Sequence, residues 1–120
     1  MLELIQPNHP NTIAFKAVGR IEDADYKTVL ALAVDRMVAE QGKARLVFEI
    51  GPEFDGFTPH AAFDDAILGL EHWRDFEKIA LVTDHAWIAG AVRLFAPLMP
   101  AQVKLFALPQ RDDALAWAAN

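Results

Sequence analysis

Two short runs, residues 44–50 and 76–83, are apolar at both odd and even positions instead of on one alternating face. In the first, Leu46, Val47, Phe48 and Ile50 are interrupted only by Glu49, and in the second Ile79, Ala80, Leu81 and Val82 are uninterrupted. A strand apolar on both sides is buried on both sides, the habit of parallel sheets covered by helices. Parallel neighbours need crossover connections, and the sequence between and around these runs has helical period.

Taken in order, residues 2–6 form a brief apolar run that the cluster Pro7, Asn8, His9, Pro10 and Asn11 turns back. Residues 12–18 are rich in β-formers and end at Gly19, so the two read as an antiparallel pair at a sheet edge. Between 23 and 41, Tyr26, Val29, Leu30, Ala33, Val34, Met37 and Val38 recur at steps of a helix face, with Gly42 just past the end. After the strand at 44–50, Gly51, Pro52 and Gly56 mark 51–57 as a loop. A second helix is predicted over 59–72, with Thr58 as N-cap, Pro59 in the first turn, and Phe63, Ile67, Leu70 and Trp73 on its buried stripe.

Asp84 follows the strand at 76–83 as the predicted N-cap of a third helix over 85–96, which buries some of Trp87, Ile88, Val92, Phe95 and Leu98. A last strand at 102–106 leads to Pro109 and a terminal helix with Ala114, Leu115 and Trp117 or Ala118 inward. The expected fold is α/β: a single, mostly parallel five-stranded sheet in the order β-β-α-β-α-β-α-β-α. Its first strand is antiparallel and lies at or near an edge.

The 120 residues suffice for one domain with a core, and 53% of them are hydrophobic. The net charge of −6, with eleven scattered Lys and Arg, offers no basic stripe for a nucleic-acid backbone. No cysteine and no serine are present, so thiolate ligands, disulfides and serine or cysteine nucleophiles are excluded. No signal sequence or transmembrane run is recognisable, and the expectation is a soluble, cytoplasmic protein. Glycine loops that cradle phosphate or dinucleotides are missing, so no cofactor is expected.

Several strings, in this order and spacing, resemble the SpoIIAA-like family, a branch of the STAS and CRAL-TRIO-like folds. They are Val18-Gly19 before Asp25-Tyr26, the segment Glu53 to Phe57, Phe63-Asp64-Asp65, the run 76–84 followed by Trp87, Val103 to Phe106, and Ala114 to Trp117. The resemblance spans nearly the whole chain and implies a small cytosolic domain without established chemistry. STAS relatives that antagonise anti-sigma factors are switched by phosphorylation at the start of the helix after the third strand, where this chain has Thr58 but lacks their serine-rich motif. CRAL-TRIO-like relatives hold hydrophobic ligands under a helix, and Phe54, Phe57, Phe63, Trp73 and Trp87 are the residues available to line such a cavity here.

Each candidate has a plainer reading. Thr58 is a phospho-acceptor candidate or simply a helix cap. His60 and Asp64 stand four residues apart with Glu71 near the same side, a divalent-metal spacing, but Asp65 and His72 fall elsewhere, so a solvated face reads better. Asp25 and Tyr26 lie near the sheet's carboxyl edge, where open α/β sheets bind ligands, or serve helix dipole and core. Glu49 must be paired if buried, with Lys78, Arg45 or Arg93 as candidate partners. Phe54, Asp55 and Phe57 are read as loop residues that fold back onto the core or present a binding surface.

The functional expectation is a non-enzymatic domain acting through association, with a second copy as a homodimer or with another protein, through the aromatic loop and second helix. The alternative is a carrier or sensor of a small hydrophobic or lipid ligand between the second and third helices. A more distant alternative is a metal-dependent enzyme using His60, Asp64 and His72.

Overall fold

The computed structural model of the protein describes residues 1–5, 11–57, 74–98 and 100–120, without the side chains of Asp23, Tyr26, Phe57 and Phe95. Five strands form one sheet in simple sequential order: β1 (Leu2–Leu4), β2 (Ile13–Ile21), β3 (Ala44–Phe57), β4 (Phe76–Thr83) and β5 (Gln102–Phe106). β1 runs antiparallel to β2, and every other neighbour is parallel. The expected sheet, with its antiparallel edge strand, is therefore the one found, and β4 and β5 keep their expected bounds.

β3 departs from expectation. It does not end at Ile50 in a loop but continues through Pro52 to Phe57, with Gly19 facing Phe54, Arg20 facing Gly56 and Ile21 facing Phe57. The register shifts on either side of Gly19 absorb the disruption that Pro52 causes by donating no N–H. Gly19 and Gly56 take the positive φ values of 64° and 127° that such a bulged ladder requires. The glycines and proline that suggested a loop are the devices of an irregular strand.

The first helical segment starts with α1 (Asp23–Asp25), passes through a π-helical turn (Tyr26–Leu30) and continues as α2 (Ala31–Gln41). Thr28 Oγ1 donates back to the Ala24 carbonyl at 2.5 Å beside the wide turn. Gly42, at φ 83°, closes α2 by donating its N–H to the Val38 carbonyl. α3 (Ala86–Phe95) runs into a 3₁₀ turn (Ala96–Leu98), and α4 (Arg111–Ala119) follows a second 3₁₀ turn (Leu108–Gln110).

Alternation along the strands separates two cores. On one face Phe15, Ala17, Leu46, Phe48, Ile50 and Leu81 meet Leu30, Val34 and Met37 of the first helical segment and Ile88 of α3. On the other, Ala14, Val47, Ala80, Val82 and Phe106 meet Ala114, Leu115 and Ala118 of α4. A sequential sheet whose crossovers share one hand places its crossover helices on one face, leaving the other for the terminal helix.

Candidate functional site

The carboxyl ends of β3 and β4 carry the densest polar geometry described. Thr83 Oγ1 donates to the Ile50 carbonyl at 2.8 Å and accepts the His85 N–H at 3.1 Å, tying the end of β4 to the middle of β3. His85 Nε2 lies 3.3 Å from the Gly51 carbonyl oxygen, and its ring meets Phe54 edge-on with centroids 6.0 Å apart. Phe54 is thus a half-buried strand residue packed against the first core, not a displayed loop aromatic. Asp55 is exposed, and Phe57 closes β3 opposite Ile21.

Asp84 does not cap α3 as expected. Its Oδ1 accepts the Leu108 N–H at 3.1 Å, joining the end of β4 to the turn after β5, while His85 occupies the cap position without a side-chain cap hydrogen bond. His85 carried no role in the sequence reading. Its signal was its position, two residues past a parallel strand at the edge where such sheets collect ligand-facing groups.

α3 is apolar on two sides. Ile88 is buried and Val92 is half-buried against the sheet, which sets the helix rotation. Trp87, one residue from Ile88 and so about 100° around the helix, then faces solvent at 67% exposure. Leu94 and Leu98 follow it at 71% and 66%, a stripe spaced seven and four residues apart. Of the apolar residues expected to share the burial, Ile88 and in part Val92 take it while Trp87 and Leu98 do not, and the segment shows one apolar face too many for packing alone.

Glu49 is buried, at 3% exposure, and its partner is none of the three expected. Arg111 Nε and Nη2 donate to its two carboxylate oxygens, both at 2.6 Å. The hydrogen bond to Glu49 is the chief reason that the Arg111 pKa is raised beyond its ordinary value. Arg45 stands four residues back along β3, about 13 Å away at strand rise. It pairs with Glu77 at 3.0 Å and donates Nη1 to the Ala118 carbonyl at 3.0 Å. Lys78 donates to the Trp117 carbonyl at 3.0 Å, and Arg93 belongs to α3 on the opposite face. Asn11 Nδ2 completes the tie by donating to the Ala119 carbonyl at 2.8 Å. Lys16 bonds Glu53, and that hydrogen bond raises its pKa above the ordinary 10.5.

Asp25 Oδ2 accepts the Glu22 N–H at 2.8 Å, which gives it a local cap-like role at the helix start. Thr58, His60, Phe63, Asp64, Asp65, Glu71, His72 and Trp73 lie outside the described residues, as do the side chains of Tyr26 and Phe57. Among the described residues no group of three or more His, Asp or Glu is placed to hold a metal ion, and no helix is long and apolar enough to cross a membrane.

With this geometry in hand, known proteins supply the family. The sequence model of the SpoIIAA-like family matches residues 12–119. The chain belongs to the SpoIIAA-like family. A solved structure of an uncharacterized protein with a SpoIIAA-like fold from Shewanella loihica PV-4 is similar at 31% identity and a TM-score of 0.70, over 98% of this chain and 90% of that one. No curated protein matches. The range matched by the SpoIIAA-like model begins at Thr12 and ends at Ala119, so it takes in β2 through α4, with both cores apart from Leu2 and Ile5.

Proposed function

We propose that this SpoIIAA-like domain works without chemistry of its own, by associating with another protein through the outward stripe of α3. The observation that carries the reading is the exposure of Trp87 and Leu94 on α3, and of Leu98 in the 3₁₀ turn that follows, while Ile88 and Val92 of the same helix pack on the core. Aligned large apolar side chains in water mark contact surfaces, and Trp is enriched among residues that dominate such contacts. Burying each contributes on the order of 1.5–3 kcal/mol before the cost of association is met.

Another protein fits this face better than a second copy. Symmetric pairing would bring together two chains of net charge −6. The hydrophobic-ligand alternative draws no support from Trp87, whose side chain faces solvent.

The test is a photo-crosslinking residue placed at position 94 in the protein's own cell, compared with one at the exposed Arg36 on α2. A discrete adduct from position 94 is expected, absent from position 36 and lost when Trp87→Ala is added. Equal capture at both positions, or capture indifferent to Trp87→Ala, would overturn the reading. Trp87→Ala itself should leave folding stability within about 0.5 kcal/mol of the parent, because the side chain packs little.

A further inference from the structure

We propose that the open edge of β5 receives an extended segment of the partner as a sixth strand, a segment in which apolar residues alternate with Asp or Glu. The inference rests on the association reading and narrows the chemistry of the partner.

Among the described residues β5 ends the sheet and pairs only with β4. Among the described residues no backbone hydrogen bond reaches it from its outer side. Such an edge offers unpaired N–H and C=O groups as a template for another strand. The usual blunting devices are sparse: residues 102–106 contain no proline, their register with β4 has no shift, and the single edge charge is Lys104. The opposite edge is a poorer template, since β1 spans only Leu2–Leu4 and carries Glu3.

The side chains of β5 specify what pairs beside it. Val103 and Leu105 are half-buried on the face of α3, while Gln102 and Lys104 are exposed on the face of α4. An added strand sends alternate side chains to the two faces, and directly opposed side chains interact. Apolar residues therefore suit the positions beside Val103 and Leu105, and a carboxylate suits the position beside Lys104. Charge along the chain points the same way. From Ala86 to Gln110 the sequence holds Arg93 and Lys104 and no carboxylate, although the chain as a whole is −6.

Lys104 also selects against a second copy. Antiparallel self-pairing in the register that matches all five residues of β5 sets Lys104 opposite its own counterpart, and like charges directly opposed are destabilising. One residue thus rejects self-pairing and favours an acidic strand, the combination by which interfaces gain specificity.

The experiment titrates the isotope-labelled full chain with two short designed peptides, one alternating Val with Glu and one alternating Val with Lys, and follows backbone amide signals. Saturable shifts on β5 with the acidic peptide, cross-strand contacts between its backbone and β5, and weak or no binding of the basic peptide are expected. Lys104→Glu should weaken the acidic peptide about tenfold and admit the basic one, with unchanged thermal unfolding to show that the fold is intact. Equal binding of both peptides, saturation that leaves β5 unmoved, or no saturable binding would each overturn the proposal. So would concentration-dependent dimerisation through β5, or attachment of β5 to phosphatidylglycerol vesicles when neither peptide binds. If crosslinking at position 94 behaves as expected while β5 ignores the acidic peptide, this inference falls and the association reading stands. If β5 binds as expected while position 94 captures nothing, the edge site stands and the α3 stripe is removed from it.

Discussion

On the face covered by α2 and α3, Leu46, Phe48, Ile50 and Leu81 meet Leu30, Val34, Met37 and Ile88 in apolar contact, and the buried Thr83, on the same alternation as Leu81, is bonded to the Ile50 carbonyl of the neighbouring strand, not to a helix. On the opposite face α4 brings Ala114, Leu115 and Ala118 to Val47, Ala80 and Val82, and polar groups hold both of its ends. Arg111 grips Glu49 at the start of α4, and Arg45, Lys78 and Asn11 donate to the carbonyls of Ala118, Trp117 and Ala119 at its finish. The first face relies on area, which is non-directional and tolerates repacking. The second has a short helix with small side chains, so directional bonds set its position. Arg45 and Lys78 sit at the carboxyl end of α4, where the helix dipole and the orphan carbonyls favour cations.

The largest test of this contrast is Arg111→Ala. It leaves the Glu49 carboxylate buried without its partner and should cost about 3–5 kcal/mol by urea unfolding. Replacing both residues with Leu should recover most of that loss, because a buried ion pair and an apolar pair of similar size are often nearly equal in stability. A double replacement as damaging as the single one would show that the pair itself, not the orphaned charge, holds α4.

Next in size is Leu30→Ala on the other face, where a side chain only 2% exposed is removed. A loss of about 2–4 kcal/mol is expected, with no dependence on salt. A salt-dependent loss would break the distinction between the two faces. Lys78→Met should cost about 1 kcal/mol and speed amide exchange at the last turn of α4, with α2 unaffected.

The smallest effect concerns Lys16 and Glu53. Because the folded state raises the Lys16 pKa, the stability from this pair is fully present below the ordinary value of 10.5 and is lost as pH rises through the raised one. Glu53→Gln should lower stability by less than about 1 kcal/mol at neutral pH, since Glu53 is half exposed. The difference from the parent should vanish once Lys16 is deprotonated in both.

Legibility from sequence followed the range of the interaction involved. β4 was readable to the residue because burial on both faces leaves a local trace along the strand. Asp84, by contrast, had the residue type and place of an N-cap, but the N–H of Leu108, distant in sequence, reached its carboxylate instead. Among the candidate site residues, Trp87 faces water and lines no cavity beneath its helix, because helix period shows that a stripe exists without saying which stripe docks.

The sequence by itself determined the order and kind of the described elements, the parallel sheet with its antiparallel edge, and membership of the SpoIIAA-like family. These depend on hydrophobic period and local propensity, which neighbouring residues carry. Tertiary structure alone decided that β3 runs through Pro52 to Phe57, since that extension needs Gly19, Arg20 and Ile21 alongside it. It also decided that Glu49 belongs to Arg111 and that Trp87 faces water. Each of those outcomes depends on a partner brought close only when the chain has folded, and no local pattern encodes which partner that is.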